Sequence, residues 1–230
     1  SYIKTLEALS AARRARFLLG KYADENPNAL FNDTKTEENR VTDASHLPDM
    51  VRMVVAVDPS GSGDTDNAHN DEIGIVVGGI GTDGNAYLLE DCTVKAGPKT
   101  WGNVAVSAYD RHDCDIIVGE KNFGGDMVRF VIQTAKAGVP YKAVNASRGK
   151  HVRAEPVAAL HEQDKIKFVG YFDKLEEEMA SMSTHGYIGE DSPNRVDAFV
   201  WLITELFPGV VKEKSKPKPP PIRSYGSYMS

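Results

Sequence analysis

The chain has 230 residues, of which 41% are hydrophobic and 26% charged, with a formal net charge of −6. That is ordinary globular composition, long enough to bury a core without disulfide or metal staples. The negative balance argues against a protein coated in nucleic acid, because phosphate binding needs cations, but it leaves room for a local basic groove.

Two cysteines, Cys92 and Cys114, are too few for a disulfide framework and lack metal-ligand spacing, so a reducing compartment is expected. The sequence shows no signal peptide and no apolar run of membrane length. No membrane partner is expected.

The pattern divides into three zones. Residues 1–50 open with Ile3, Leu6, Leu9, Phe17, Leu18 and Leu19, which predict a helix bearing Arg13, Arg14 and Arg16 and stopping at Gly20. The polar stretch from Asn26 to Asp49 has no clear period and reads as a linker or irregular strap. Residues 212–230 carry Lys212, Lys214, Lys216, Lys218 and Pro219-Pro220-Pro221 and read as a disordered tail.

Between them, residues 51–211 read as one α/β domain. Met53 to Val57 is a continuous apolar run, expected as a buried central strand ending at Asp58. A Gly/Ser/Asp-rich loop runs from Pro59 to Asp71. Strands follow at Ile73–Ile80 and Ala86–Cys92, joined by a hairpin turn over Gly81–Asn85. A helix is expected over Thr100–Arg111, a short strand over Ile116–Val118 running to Glu120, a helix over Gly125–Ala137 and a strand over Tyr141–Ala146. Helices complete the domain at Val152–Glu162, Phe172–Met182 and Asn194–Phe207, with Ser183–Asp191 as a loop flanking a cleft. A meander followed by βα units is mixed α/β.

Three carboxylates fall where chemistry would need them. Asp58 and Glu120 each end a strand, and if those strands are parallel neighbours both acids emerge at one sheet edge. Asp197 lies in the first turn of the last helix, after Ser192 as N-cap and Pro193, and in line with Val200 and Trp201. Mg²⁺ and Mn²⁺ take oxygen ligands, and two such ions about 3.5–4 Å apart can drive phosphodiester hydrolysis. In that scheme Asp58 bridges two ions, with Glu120 and Asp197 holding one side each. Taken singly, Asp58 before Pro59 also suits a turn and Asp197 also suits a helix dipole. Asp71, Asp126 and Asp64 are candidates for a fourth acid. Lys121, Asn122, Arg148, Lys150 and Arg153 are candidate DNA phosphate contacts, and His151 and His185 candidate water or phosphate contacts.

Four phrases carry a family resemblance: Val57-Asp58-Pro59-Ser60, Gly119 to Asp126, Ala146 to Pro156, and Ser192 to Ala198. Together, in that order, they resemble the nuclease domain of tailed-bacteriophage terminase large subunits, over roughly Val51 to Phe207. The opening segment resembles the end of that family's ATPase region. The resemblance implies a ribonuclease H-like fold, a mixed central sheet flanked by helices. It also implies Mg²⁺- or Mn²⁺-dependent cleavage of concatemeric viral DNA, with Asp58, Glu120 and Asp197 as the acid triad. Its expected partners are double-stranded DNA, a packaging ATPase region, a portal and a small terminase subunit, in the host cytoplasm. The sequence has no Gly-x-x-x-x-Gly-Lys-Ser/Thr phosphate loop, so the chain reads as the cutting part without the motor. A junction resolvase or transposase core would share the acids. Asp58 followed by Gly61 and Gly63 also leaves open an actin-like ATPase or sugar kinase, and a non-catalytic adaptor would keep the fold without the chemistry.

Overall fold

The computed structural model describes residues 28–59, 72–121, 126–146, 149–189 and 192–209. The expected N-terminal helix, the loop with Asp64 and Asp71, Asn122, Arg148 and the C-terminal tail lie outside these residues.

In chain order the elements are α1 (Asp33–Glu38), β1 (Arg40–Val41), a 3-10 turn (Ala44–His46), β2 (Met50–Pro59), β3 (Glu72–Gly81), β4 (Ala86–Asp91), β5 (Val94–Lys95), α2 (Pro98–Arg111), β6 (Ile116–Glu120) and α3 (Met127–Ala135). Then come β7 (Tyr141–Val144), α4 (Lys150–Glu162), β8 (Ile166–Val169), α5 (Asp173–Ala180), the short pair β9 (Met182–Ser183) and β10 (Gly186–Tyr187), and α6 (Asn194–Leu206).

The main sheet runs β1-β8-β4-β3-β2-β6-β7, with β5 on β3. Strands β2, β3 and β4 form an antiparallel meander. Strands β6 and β7 extend it in parallel from β2. This is the mixed α/β sheet that the hydrophobic runs predict.

Strand β2 is buried on both sides, so its side chains alternate between two cores. Val54 and Ala56 pack with Val118 of β6 and with α4, α5 and α6. Val55 and Val57 pack with Ile117 and with α2 and α3 on the opposite face. Because the period is two, Asp58 and Glu120 continue the rows of Ala56 and Val118, on the face that carries α6.

Helix α6 is covered nearly all round, burying Asn194, Arg195, Asp197 and Glu205 as well as its apolar residues. It lies close on β3 because that strand offers glycines beneath it. A Cβ at Gly74 would overlap the Asn194 carbonyl, and one at Gly78 would come within 2.8 Å of Leu202 Cδ2.

Several sequence expectations change. The polar stretch before Val51 is partly ordered: Asn32 caps α1 through its side chain, and β1 pairs in parallel with β8, so the sheet begins before Val51. Strand β8 is an addition to the expected elements, although Ile166-Lys167-Phe168-Val169 alternates buried and half-buried residues as a strand should. The expected Phe172–Met182 helix ends at Ala180, and the loop after it begins as the β9–β10 hairpin. Ser192 does not cap α6. Pro193 takes the cap position, and Glu178 of α5 accepts from the backbone N–H groups of Arg195 and Val196 at 2.9 and 3.0 Å.

Arg195 fastens this helix start to three elements. It contacts Glu72 of β3 at 2.5 Å, Asp91 of β4 at 3.1 Å and Glu178 at 3.0 Å, with a side chain only 6% exposed. Removing it leaves three carboxylates facing one another, two of them well buried. Arg195→Met is therefore expected to cost about 3–5 kcal/mol and to lower the melting temperature by roughly 10 °C. An unchanged melting curve would show that this ion-pair cluster does not anchor α6.

Candidate acid site at the end of the central strands

Strands β2 and β6 pair in parallel from Val54–Ile116 to Val57–Gly119, so the next position in register sets Asp58 opposite Glu120. Gly119 is required just before the acid, since a Cβ there would lie 2.9 Å from both the Tyr141 hydroxyl and Val128 Cγ1. Tyr141 donates its hydroxyl to the Gly119 carbonyl at 3.2 Å, which ties the strand end to β7. Asp197, on the first turn of α6, completes the group from above the sheet.

Asp58 is 5% exposed and Asp197 3% exposed. Burial raises the Asp58 carboxyl well above the ordinary range, and the negative charges of Asp197 and Glu120 push it further; Lys150 pulls the other way. Burial likewise raises Asp197, against the opposing effect of Lys150 and Arg153. The three acids expected from the sequence are thus electrostatic neighbours.

Two cations from the first turn of α4 share the site. Lys150 Nζ lies 2.5 Å from Asp197 Oδ2 and donates to the Ser192 hydroxyl at 3.1 Å. The Lys150–Asp197 approach is an ion pair without hydrogen-bond alignment, so Asp197 Oδ2 has no hydrogen-bond partner despite its burial. Arg153 bridges the other two contacts, with Nη1 at 3.5 Å from Glu120 Oε2 and Nη2 at 3.4 Å from Asp197 Oδ1. The sequence reading sends Arg153 to DNA phosphates. At 6% exposure it faces the acids instead, and its reach is used inside the protein.

In the sequence, Trp201 stands out only for lying in line with Asp197. Its indole N–H donates to Glu120 Oε2 at 3.0 Å, and the Arg153 guanidinium stacks 4.6 Å from its ring centre. The signal is the spacing of four residues from Asp197, which puts both on one helix face.

The remaining expectations fall further out. Lys121 is exposed immediately after Glu120, and its backbone N–H donates to Val144. Asp126 is exposed at the start of α3. His185 is exposed and His151 half-buried. A surface concavity of about 510 Å³ lies along α2, lined by Lys99, Asn103 and Arg111, and includes none of the acids.

Among the described residues no three His, Cys, Asp or Glu side chains form a ready-made metal-holding group. The acids nonetheless have the donor chemistry for a hard divalent cation: three carboxylates against two cations, with one buried oxygen lacking a hydrogen bond.

The raised Asp58 carboxyl gives a sign-definite expectation. A carboxylate raised in the fold contributes stability that is full below its unfolded value, about 3.9, and lost as pH rises through the folded value. At neutral pH in the absence of divalent metal, Asp58→Asn is expected to raise the melting temperature by ~2–4 °C, a gain of about 1 kcal/mol. The difference should shrink as pH falls toward 4. A lower melting temperature for the variant at pH 7 would contradict this charge assignment.

No curated protein sequence is similar enough to count as a relative. Solved structures are similar in fold. The large terminase nuclease of thermophilic phage G20c matches with a TM-score of 0.53 at 12% identity, covering 75% of this chain and 96% of that one. The P22 large terminase nuclease domain gives 0.55 at 14%, covering 74% and 88%. The human cytomegalovirus terminase nuclease domain gives 0.52 at 12%, covering 75% and 93%. The large terminase of a second thermophilic bacteriophage gives 0.55 at 11%, with 76% of this chain aligned to 44% of that one, so this chain spans less than half of that protein. The family model described as the terminase RNaseH-like domain matches residues 55–206, well over half of the sequence, a span within which Asp58, Glu120 and Asp197 fall. The chain therefore belongs to the terminase RNaseH-like domain family, with the ribonuclease H-like fold that its strand order displays.

Proposed function

We propose that this chain is a Mg²⁺- or Mn²⁺-dependent DNA endonuclease that cuts concatemeric viral DNA during genome packaging. The observation that carries the reading is the meeting of Asp58, Glu120 and Asp197 at one end of the central strands, with more buried negative charge than the neighbouring cations balance. Such a surplus is costly in a fold and useful for holding hard cations. The cytomegalovirus nuclease, similar in fold, has a structure described as Mn-soaked and inhibitor-bound, which supports divalent metal use here.

In this reading Asp58, Glu120 and Asp197 would hold the ions, which would supply an activated water and charge stabilisation for the leaving oxygen of a phosphodiester. The chain's own residues do the rest. Walls formed by β2, β6 and α6 exclude bulk water from Asp58 and strengthen its attraction for cations. Lys150, with a side chain 46% exposed, and the exposed Lys121 sit at the rim and are suited to duplex phosphates. Asn122 and Arg148 are further contacts proposed from sequence, as Asp71 and Asp126 are for a fourth acid. Arg153 is withdrawn from that group, because its guanidinium is buried against Glu120 and Asp197.

The proposed partners are double-stranded DNA and, within the packaging machine, an ATPase region, a portal and a small terminase subunit. The second thermophilic bacteriophage's large terminase, similar in fold over about half its length, has structures in complex with ADP and with ATP-gamma-S. That supports a motor context for the family.

The direct test is plasmid cleavage. With Mn²⁺ or Mg²⁺ the purified chain is expected to nick and linearise supercoiled DNA, and a chelator is expected to stop it. Asp58→Ala should reduce cleavage by at least about a thousandfold, the scale of losing one centre of charge stabilisation. Equal cutting by Asp58→Ala and the parent would overturn the site.

A further inference from the structure

Glu120 is the most exposed of the three acids. Its side chain is 16% exposed, against 3% for Asp197, while Asp58 is 5% exposed. A carboxylate there is free to rotate unless something holds it. Two groups do, and both act on the same oxygen. The Trp201 indole N–H donates to Oε2 at 3.0 Å, and Arg153 Nη1 approaches Oε2 at 3.5 Å.

The two holders are themselves fixed. Arg153 lies 4.6 Å from the centre of the Trp201 ring, and its other terminal nitrogen sits 3.4 Å from Asp197 Oδ1. Trp201 is one helical turn beyond Asp197 on α6, so a single rigid helix presents both an acid and the donor that aims the next acid. An indole N–H can only donate, and so it orients a carboxylate without competing for a cation.

A buried tryptophan needs an acceptor for its N–H in any fold. Here the acceptor is one of the three clustered acids, and a cation, Arg153 of α4, converges on the same atom. That is more than satisfying an indole requires.

We propose that Trp201 is a positioning residue for Glu120: supported by the stacked Arg153, its indole N–H occupies Glu120 Oε2 and leaves Oε1 for a divalent cation. The inference rests on the metal-dependent reading above and deepens it. It makes Glu120 a one-oxygen ligand and assigns Arg153 to orienting the acids rather than to DNA.

The test is Mn²⁺ binding to the DNA-free protein by titration calorimetry, with melting temperatures recorded in parallel. Trp201→Phe keeps an aromatic ring in the same place and removes the N–H donor along with one of the two fused rings. It is expected to weaken Mn²⁺ binding about tenfold or more, as loss of a partner behind a ligand commonly does, with the protein still folded. Arg153→Lys keeps the charge, loses the two-pronged bridge and should also weaken binding. If Trp201→Phe fails to fold, Arg153→Lys carries the test on the same criterion. Parent-like Mn²⁺ affinity in a folded Trp201→Phe protein overturns the positioning role and leaves the metal reading standing. A parent that binds no Mn²⁺ overturns both.

Discussion

Asp58 ends a buried apolar strand, and the chain keeps it ionisable in a place where ionisation is costly. Val54, Val55, Ala56 and Val57 are fully buried before it, and two other acids stand beside it. Desolvation and like charge both oppose its carboxylate form. Much of the surrounding structure is arranged around that cost. Lys150 and Arg153 come from the first turn of α4 to offset it, Gly119 lets β6 end close to β7 and α3, and α6 brings Asp197 down onto the sheet.

Helix α6 is the element on which this arrangement turns. Its start carries no capping side chain of its own, and Glu178 from α5 caps it instead. Arg195 ties the same turn to β3 and β4, while Gly74 and Gly78 allow the helix to lie close on the sheet. Asp197 follows Arg195 by two residues, so the ion-pair cluster that fixes the helix also fixes the acid. One turn on, Trp201 reaches Glu120. Stability and site geometry are therefore carried by the same contacts.

Much of this is legible in the sequence. The apolar runs ending at Asp58 and Glu120 mark two buried strands, and as parallel neighbours these bring both acids to one sheet edge; the shared face comes from the register of the pair. The spacing of the four family phrases points to the terminase nuclease fold, which the family match and the structural neighbours support. Strand β8 escapes notice because four alternating residues after a helix carry little signal. The ordered stretch at α1 and β1 escapes it because its anchors are distant: Lys35 and Asn39 bond Asp164, and Arg40 pairs with Glu176. No local period records such contacts. Arg153 is misplaced for a related reason. A basic side chain in a polar phrase reads as a surface group, and only the tertiary fold turns it inward toward Glu120 and Asp197.

The central claim is that these three acids hold divalent cations. The most direct measurement is an anomalous difference map from a crystal soaked in Mn²⁺, recorded near the manganese absorption edge. The account predicts peaks bounded by Asp58, Glu120 and Asp197, with the Lys150 ammonium displaced from Asp197 Oδ2. Peaks confined to sites away from Asp58 and Glu120, in a crystal where those side chains are open to solvent, would contradict it.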